Sequence, residues 1–149
     1  MGSVDTILFG RVTYELMSKY WPTDTVNDPY IKERMNNLPK VVFSRTMQKV
    51  AWNNSKLVAE IDPERLMRMK RMAGKNIAVL GSGSIVSALT GLGLIDEYRI
   101  IVNPVILGEG TPMFQGLKQS QKLKMIDTRQ LGSGVAILSY QALGNQTER

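Results

Sequence analysis

Four small residues, Gly81, Ser82, Gly83 and Ser84, separate an apolar stretch from an apolar, helix-like segment in "AVLGSGSIVSAL", residues 78–89. A strand that turns directly into a helix through small residues leaves the backbone N–H groups at the helix start uncovered. Such groups bind anions, often phosphates, because the helix dipole adds to their partial positive charge. Glycine also occurs in these turns merely to avoid a packing clash, so the turn alone leaves both roles open.

The same turn departs from the two common phosphate-binding fingerprints. The dinucleotide pattern G-x-G-x-x-G would require a third glycine where Val86 stands. The lysine of a P-loop is absent as well. The turn therefore matches neither motif, and any phosphate binding here depends on its backbone N–H groups.

A second strand-to-helix turn has the same layout in "FGRVTYE", residues 9–15. Gly10 follows an apolar strand, and Arg11 and Thr13 lie near the N-terminal donors of the next helix. Two helix starts suited to anions in one small sheet suggest a diphosphate ligand. The alternatives are that Arg11 is an exposed charge and that Thr13 is a plain helix cap.

A third strand ends in "FSRT", residues 43–46. Ser44 and Arg45 can hold a phosphate monoester through a hydroxyl and a guanidinium group. An ordinary polar strand exit is the alternative interpretation.

The composition excludes several classes of catalytic site. The 149 residues contain neither histidine nor cysteine, so Ser-His-Asp triads, imidazole bases, thiolates and the usual zinc ligands are ruled out, and we expect no metal site. Catalysis would depend on carboxylates, hydroxyls, backbone donors or a bound cofactor. The absence of cysteine also fits a reducing cytoplasm.

The charge pattern predicts neither a nucleic-acid surface nor a membrane segment. The net charge is +6, but the basic residues are scattered. The densest group, within residues 65–75, spreads over several sides of one predicted helix without interleaved aromatic residues, which is typical of a solvated helix. No apolar run is long enough for a membrane span, and the N-terminus lacks a signal pattern. We therefore expect a cytoplasmic protein without nucleic-acid or membrane partners.

Apolar and helical patterns alternate along the chain before two strands pair at its end. Strands are predicted at 6–9, 40–44, 55–58, 76–80 and 98–107, and helices at 13–20, 30–35 and 62–73 and after Ser84. Gly132, Ser133 and Gly134 join the last two strands, 122–131 and 135–143, in a hairpin. This order predicts a single α/β domain over residues 1–149, with a mixed, mostly parallel sheet flanked by helices and an antiparallel C-terminal hairpin.

The chain resembles the dihydrofolate reductase superfamily in "DTILFGRVTYELMSKYW", "KVVFSRT" and "IAVLGSGSIVSALTGLGLIDEYRIIVNPVILGEGTPMF". It is most similar to the C-terminal reductase domain of bifunctional riboflavin-biosynthesis deaminase-reductases and to their stand-alone bacterial relatives. The resemblance covers nearly the whole chain, and the run from "LGSGS" to "VILGEG" is its most specific part. It implies a dihydrofolate-reductase-like fold and an NADPH-dependent oxidoreductase.

The resemblance also implies roles for individual residues. The implied cofactor-binding residues are Gly10, Arg11, Thr13, Ser44, Arg45, Gly81, Ser82, Gly83, Ser84 and Ile85. Among them, Ser44 and Arg45 would bind the 2′-phosphate of the adenosine. Met17, Trp21 and Thr111 would face the substrate, with core or loop packing as the alternative for each.

The sequence departs from the family at its beginning. The resemblance implies a strand and a helix before "DTILFG", with the acid that orients folate, and the given residues do not include them. The remaining acids near the expected pocket, Glu15 and Glu109, do not match that position, so no catalytic residue is named. The resemblance therefore predicts little or no turnover of dihydrofolate and favours a pyrimidine or another small carbonyl or imine substrate. Strands left without partners, and the pairing common among such relatives, predict a homodimer.

Three functions remain open on the sequence. The favoured one is NADPH-dependent reduction of a small heterocyclic or ribosylamino-pyrimidine substrate. The alternatives are a nucleotide-binding module without turnover and a purely structural or oligomeric role. Cofactor binding separates the first two from the third, and turnover separates the first from the second.

Overall fold

The computed structural model describes residues 3–72, 74–80 and 83–143 of the chain. The chain forms two compact units, a first unit over Met1–Val86 and a second unit over Ser87–Arg149. Within the described ranges, no helix is both long and apolar enough to cross a membrane.

The first unit contains a four-stranded parallel sheet. Its strands are β1 (Val4–Gly10), β2 (Lys40–Phe43), β3 (Ser55–Val58) and β4 (Asn76–Val79), in the spatial order β3-β2-β1-β4. The helices of this unit are α1 (Arg11–Tyr20), α2 (Pro29–Asn37) and α3 (Pro63–Met72). The strands predicted at the corresponding positions are confirmed, and α2 is longer than the predicted helical stretch.

Aspartates begin α2 and α3. The Asp28 carboxylate accepts a hydrogen bond from the Tyr30 N–H at 2.8 Å, and the Asp62 carboxylate accepts one from the Glu64 N–H at 3.0 Å. In both helices proline follows the aspartate, and its missing N–H costs nothing in the first turn. At each of these helix starts, an aspartate side chain thus caps one of the first-turn N–H groups.

An aromatic cluster forms the centre of the first unit. Phe9, Tyr14 and Trp52 pack with ring centroids 5.8 to 6.1 Å apart. The Trp52 backbone N–H donates to the Tyr14 hydroxyl at 3.0 Å, and its indole N–H donates to the Asn36 side-chain oxygen at 2.8 Å. These bonds satisfy the polar edges of the rings, so the cluster joins β1, α1, α2 and the loop before β3 without unpaired buried indole donors.

Lys40, the first residue of β2, is buried against this cluster, with only 1% of its surface exposed. Its ammonium donates to the carbonyls of Asn36, Leu38 and Asn53 at 2.9, 3.0 and 2.8 Å. It also lies 4.3 Å from the centre of the Trp52 ring. Burial lowers the pKa of Lys40 to about 8, so the group is charged at neutral pH and joins the end of α2 to the loop before β3.

The second unit contains a three-stranded antiparallel sheet. Its strands are β5 (Glu97–Val102), β6 (Leu123–Gln130) and β7 (Ala136–Ala142), in the order β5-β7-β6. A further helix, α4 (Gly83–Gly91), begins in the first unit and ends in the second. The turn between β6 and β7 contains Gly134 at a φ of +91°, a conformation that favours glycine. The α/β class and the C-terminal hairpin are confirmed.

The strand predicted at 98–107 is wrong in its second half. β5 ends at Val102, and residues 103–107 form no strand. Pro104 has no N–H to offer a neighbouring strand, and the Val105 N–H bonds to the Asn103 carbonyl at 2.8 Å instead. The apolar spacing of this segment indicated a buried strand, but Val105, Ile106 and Leu107 are exposed by 61%, 97% and 78%.

The buried ammonium predicts a pH dependence of stability. The pKa of Lys40 is about 8 in the folded protein against 10.5 ordinarily, so the folded state binds this proton more weakly than the unfolded chain. The free energy of unfolding contributed by Lys40 therefore rises as pH increases through this interval. We expect the free energy of unfolding, measured with urea, to increase between about pH 7 and about pH 9.5. This increase should be roughly 1 to 2 kcal/mol larger for the wild type than for Lys40→Met. Equal pH dependence of the two proteins would contradict the burial of a charged lysine.

Candidate functional site

The carboxyl ends of the first-unit strands lie side by side. Gly10 at the end of β1 pairs with Phe43 at the end of β2, and Phe43 pairs with Val58 at the end of β3. On the other side of β1, Leu8 pairs with Val79 at the end of β4. We call this row of strand ends the carboxyl edge. Ligands of open parallel sheets bind at such edges, because the helices that follow the strands begin there.

Helix α1 begins at the carboxyl edge without a cap of its own. Gly10 stands at its N-cap in an extended conformation, with no side chain to accept from the first-turn N–H groups. The first turn also lacks an acidic residue. This start differs from those of α2 and α3, where the carboxylates of Asp28 and Asp62 each accept one first-turn N–H. The open donors and the dipole of α1 therefore suit an external anion.

Arg11 lies at this helix start and forms an ion pair along the helix. Its guanidinium is 2.8 Å from a carboxylate oxygen of Glu15, one turn further on, and each side chain is 46% exposed. Pairs of this spacing contribute only about 0.3 to 0.5 kcal/mol when exposed. A phosphate can therefore replace Glu15 as the ion-pair partner of Arg11. Thr13 follows in the same turn and is half-buried.

Ser44 turns the chain at the end of β2. Its N–H continues the sheet by donating to the Val58 carbonyl at 3.0 Å. Its hydroxyl oxygen accepts the N–H groups of Thr46 and Met47 at 3.2 and 3.1 Å. These bonds use the oxygen as an acceptor, so the hydroxyl proton stays available to Thr46 or to a ligand oxygen.

Arg45 lies next to this turn and is paired with a carboxylate that the sequence analysis did not identify. Its guanidinium is 3.0 Å from a carboxylate oxygen of Glu60, and the two side chains are 75% and 68% exposed. The signal was present in the sequence only as an equal spacing: Arg45 follows Phe43 by two residues, and Glu60 follows Val58 by two. Because Phe43 and Val58 are paired residues of β2 and β3, this equal spacing places Arg45 and Glu60 next to each other.

The third predicted anion-binding turn is described only in part. Gly81 and Ser82 lie outside the described residues. Gly83, Ser84 and Ile85 form the first turn of α4, which contains no acidic residue. Ile85 is buried, with 7% of its surface exposed, while Ser84 is exposed. The described part of the turn thus resembles α1 in having no negative charge at its start.

The residues expected to face the substrate fall in two places. Met17 and Trp21 contact each other in the first unit, where the Trp21 indole N–H lies 3.2 Å from the Met17 sulfur. Both side chains are partly buried and pack against the aromatic core. Thr111 lies exposed in the second unit, in the loop between β5 and β6. A substrate role stays a prediction for all three, and packing accounts for the first two.

Neither of the two acids considered from the sequence is buried. Glu15 is half-exposed and paired with Arg11, and Glu109 is exposed in the second unit. The catalytic residue stays unassigned.

A cavity of about 650 Å³ in the first unit contains none of the predicted site residues. It is bordered by Tyr14, Asn36 and Trp52, among others. The indole N–H of Trp52 is bonded to Asn36, and the Asn36 amide donates to the carbonyls of Trp21 and Lys32. The indole of Trp52 and the amide of Asn36 therefore already have hydrogen-bond partners within the protein.

Comparison with known families and proteins agrees with the fold. A family model for the RibD C-terminal domain matches residues 1–137, which extend across both units. The Bacillus subtilis (strain 168) protein YyaP is 34% identical over 142 residues, which cover 94% of this chain and 75% of YyaP.

Solved structures show the same fold. A putative riboflavin biosynthesis protein from Shewanella sp. PV-4 superposes with a TM-score of 0.74 at 22% identity, covering 95% of this chain and 75% of that protein. Dihydrofolate reductase from Enterococcus faecalis, solved in complex with NADP(H), superposes with a TM-score of 0.61 at 12% identity, covering 95% and 76%. The dihydrofolate-reductase-like architecture predicted from the sequence is confirmed.

Proposed function

Because the chain belongs to the RibD C-terminal domain family, we propose that it is an NADPH-dependent reductase of a small heterocyclic or ribosylamino-pyrimidine substrate. Its family and its structural neighbours indicate an oxidoreductase. The observation that carries the proposal is the carboxyl edge, where an uncapped helix start lies in the same row of strand ends as the residues Ser44 and Arg45.

The residues of this edge fit a dinucleotide phosphate. The open N–H groups that follow Gly10, together with Arg11, suit a pyrophosphate, because both are positive donors at one helix start. Ser44 and Arg45 suit a phosphate monoester such as the 2′-phosphate of NADPH, since one offers a hydroxyl and the other a charged fork of donors. When bound, the nicotinamide supplies the hydride. The dihydrofolate reductase that superposes on this chain was solved with NADP(H), which supports the same cofactor class here.

The substrate class in the proposal depends on charge and on the family. The net charge of +6 favours an anionic substrate such as a ribosylamino-pyrimidine phosphate. The Shewanella protein is described as a riboflavin biosynthesis protein, which supports a pyrimidine of this kind. Met17, Trp21 and Thr111 are the proposed substrate contacts.

A nucleotide-binding module without turnover is the second candidate. It is favoured by one observation: the acids considered, Glu15 and Glu109, are not buried, and neither is assigned as a proton donor. Oxidation of NADPH in the presence of a reducible pyrimidine would distinguish the reductase from such a module.

The first prediction of this proposal concerns the 2′-phosphate. NADPH is expected to bind about tenfold or more tightly than NADH, because hydrogen bonds to charged groups contribute roughly 1.5 to 3 kcal/mol. Arg45→Ala should remove most of this preference and leave NADH binding nearly unchanged. Dissociation constants from fluorescence titration measure both effects. Arg99→Ala is a matched control, since Arg99 is also an exposed arginine paired with a glutamate, in the second unit. Equal affinities of the wild type for NADPH and NADH would contradict the assignment.

A second prediction concerns dihydrofolate. Glu15 and Glu109, the acids near the expected pocket, are not buried and do not match the position of the acid that orients folate, so dihydrofolate should be reduced slowly or not at all. The measurement is NADPH oxidation at saturating dihydrofolate, followed by absorbance. Rapid turnover that an antifolate blocks would show that the chain is a folate reductase and would contradict the proposed substrate class.

The proposal includes a homodimer. Val105, Ile106 and Leu107 form an exposed apolar run in the second unit, and such runs are often association surfaces. Analytical ultracentrifugation at micromolar concentration should give the mass of two chains. Ile106→Asp should shift the distribution towards one chain, since Ile106 is 97% exposed and its replacement leaves the core intact. A wild-type protein that sediments as a monomer would contradict the dimer.

A further inference from the structure

We propose that Glu60 limits the affinity of this protein for a phosphate at the 2′ position of adenosine. Its carboxylate does so by competing with that phosphate for Arg45. The inference rests on the proposed function, in which Arg45 and Ser44 bind the 2′-phosphate. Its structural basis is the ion pair between Arg45 and Glu60, with an N–O distance of 3.0 Å at the carboxyl edge.

The sheet register places the two side chains together. Phe43 and Val58 are paired residues in the parallel strands β2 and β3, and each is the last residue of its strand. The Ser44 N–H donates to the Val58 carbonyl at 3.0 Å, so the two chains remain adjacent beyond the strand ends. Arg45 and Glu60 follow at equal distances from the pair. Their contact is therefore a consequence of backbone pairing between β2 and β3.

The carboxylate of Glu60 acts on a bound phosphate in two ways. It occupies guanidinium donors that the phosphate would otherwise accept, and it repels the phosphate as a like charge nearby. Both side chains are largely exposed, at 75% and 68%, so the ion pair is weak enough for a phosphate to displace it. Glu60 then lowers the affinity for the 2′-phosphate without preventing its binding.

The other arginine of the edge is paired differently. Arg11 and Glu15 belong to the same helix and are four residues apart, so their pair arises from helix geometry alone. Glu60 instead belongs to the segment after β3, and it approaches the predicted 2′-phosphate site from the neighbouring strand. Among these two acids, Glu60 is the one whose charge bears directly on Arg45.

The effect is specific to ligands with a 2′-phosphate. Suitable probes are adenosine 2′,5′-bisphosphate and adenosine 5′-monophosphate, because they differ only in this phosphate and contain no nicotinamide. Glu60→Gln keeps the size of the side chain and removes its charge. The variant should bind the bisphosphate about three to ten times more tightly than the wild type, and the monophosphate with unchanged affinity.

Three further variants separate competition for Arg45 from other effects. Glu60→Asp retains the negative charge and should stay close to the wild type. The double variant Arg45→Ala with Glu60→Gln should show little of the gain, because the competed residue is gone. Glu97→Gln removes the carboxylate of another exposed arginine pair, in the second unit, and should leave both affinities unchanged. The gain should also shrink in about 1 M salt, where charges are screened beyond about 3 Å.

Titration calorimetry of these variants with both probes tests the inference. An equal gain for both probes, no gain, or a gain that persists without Arg45 would overturn it. NADPH oxidation by the wild type is assayed separately. Selective bisphosphate binding that responds to Glu60→Gln, in a protein that oxidises no NADPH with any pyrimidine tried, would contradict the reductase and support this inference. An active reductase insensitive to Glu60→Gln would do the reverse. A protein that binds neither the bisphosphate nor NADPH would overturn both.

Discussion

The parallel hydrogen-bond register of β1, β2 and β3 is the constraint on which the candidate site depends. It pairs Gly10 with Phe43 and Phe43 with Val58, so three strands that are far apart in sequence end in one row. The start of α1, the Ser44 turn and Glu60 follow directly from these three ends. A change of register by one residue would move all of these groups relative to one another and would reverse which side chains face the core.

Strand β2 is stabilised at one end and leads to the proposed phosphate-binding residues at the other. It has only four residues, and its first, Lys40, is buried beneath Trp52 and bonded to three carbonyls. Its last residue, Phe43, precedes the two residues that are expected to bind a phosphate. The bonds of Lys40 thus anchor β2 at the end that lies away from Ser44 and Arg45.

Charge at the carboxyl edge is balanced rather than strongly positive. Each of the two arginines has a carboxylate within about 3 Å, and both pairs are at least partly exposed. A phosphate ligand would therefore replace existing carboxylate partners, in addition to accepting the open N–H groups of α1. For each arginine, the affinity depends on the difference in free energy between its ion pair with the phosphate and its ion pair with the carboxylate. This difference is small for exposed pairs in water. The net charge of +6 favours the approach of an anionic ligand, while its affinity at this edge depends on the local balance of charges.

The sequence by itself determined the features that depend on near neighbours. The Asp62 cap, the hairpin turn at Gly134 and the open helix start at Gly10 each involve residues within a few positions, and local propensities and sterics are enough to predict them. The family motifs added the expected roles of Arg11, Ser44 and Arg45.

The tertiary structure decided the features that depend on distant partners. Lys40 looked like an ordinary strand residue, but the carbonyls of Asn36 and Asn53 and the ring of Trp52 surround its ammonium group. Val105 and Ile106 have strand-like apolar spacing but are exposed, because Pro104 cannot continue the pairing. The contact of Arg45 with Glu60 follows from the pairing of β2 with β3. Pairing and burial are set by strand register and by the packing of segments far apart along the chain, which no local pattern specifies.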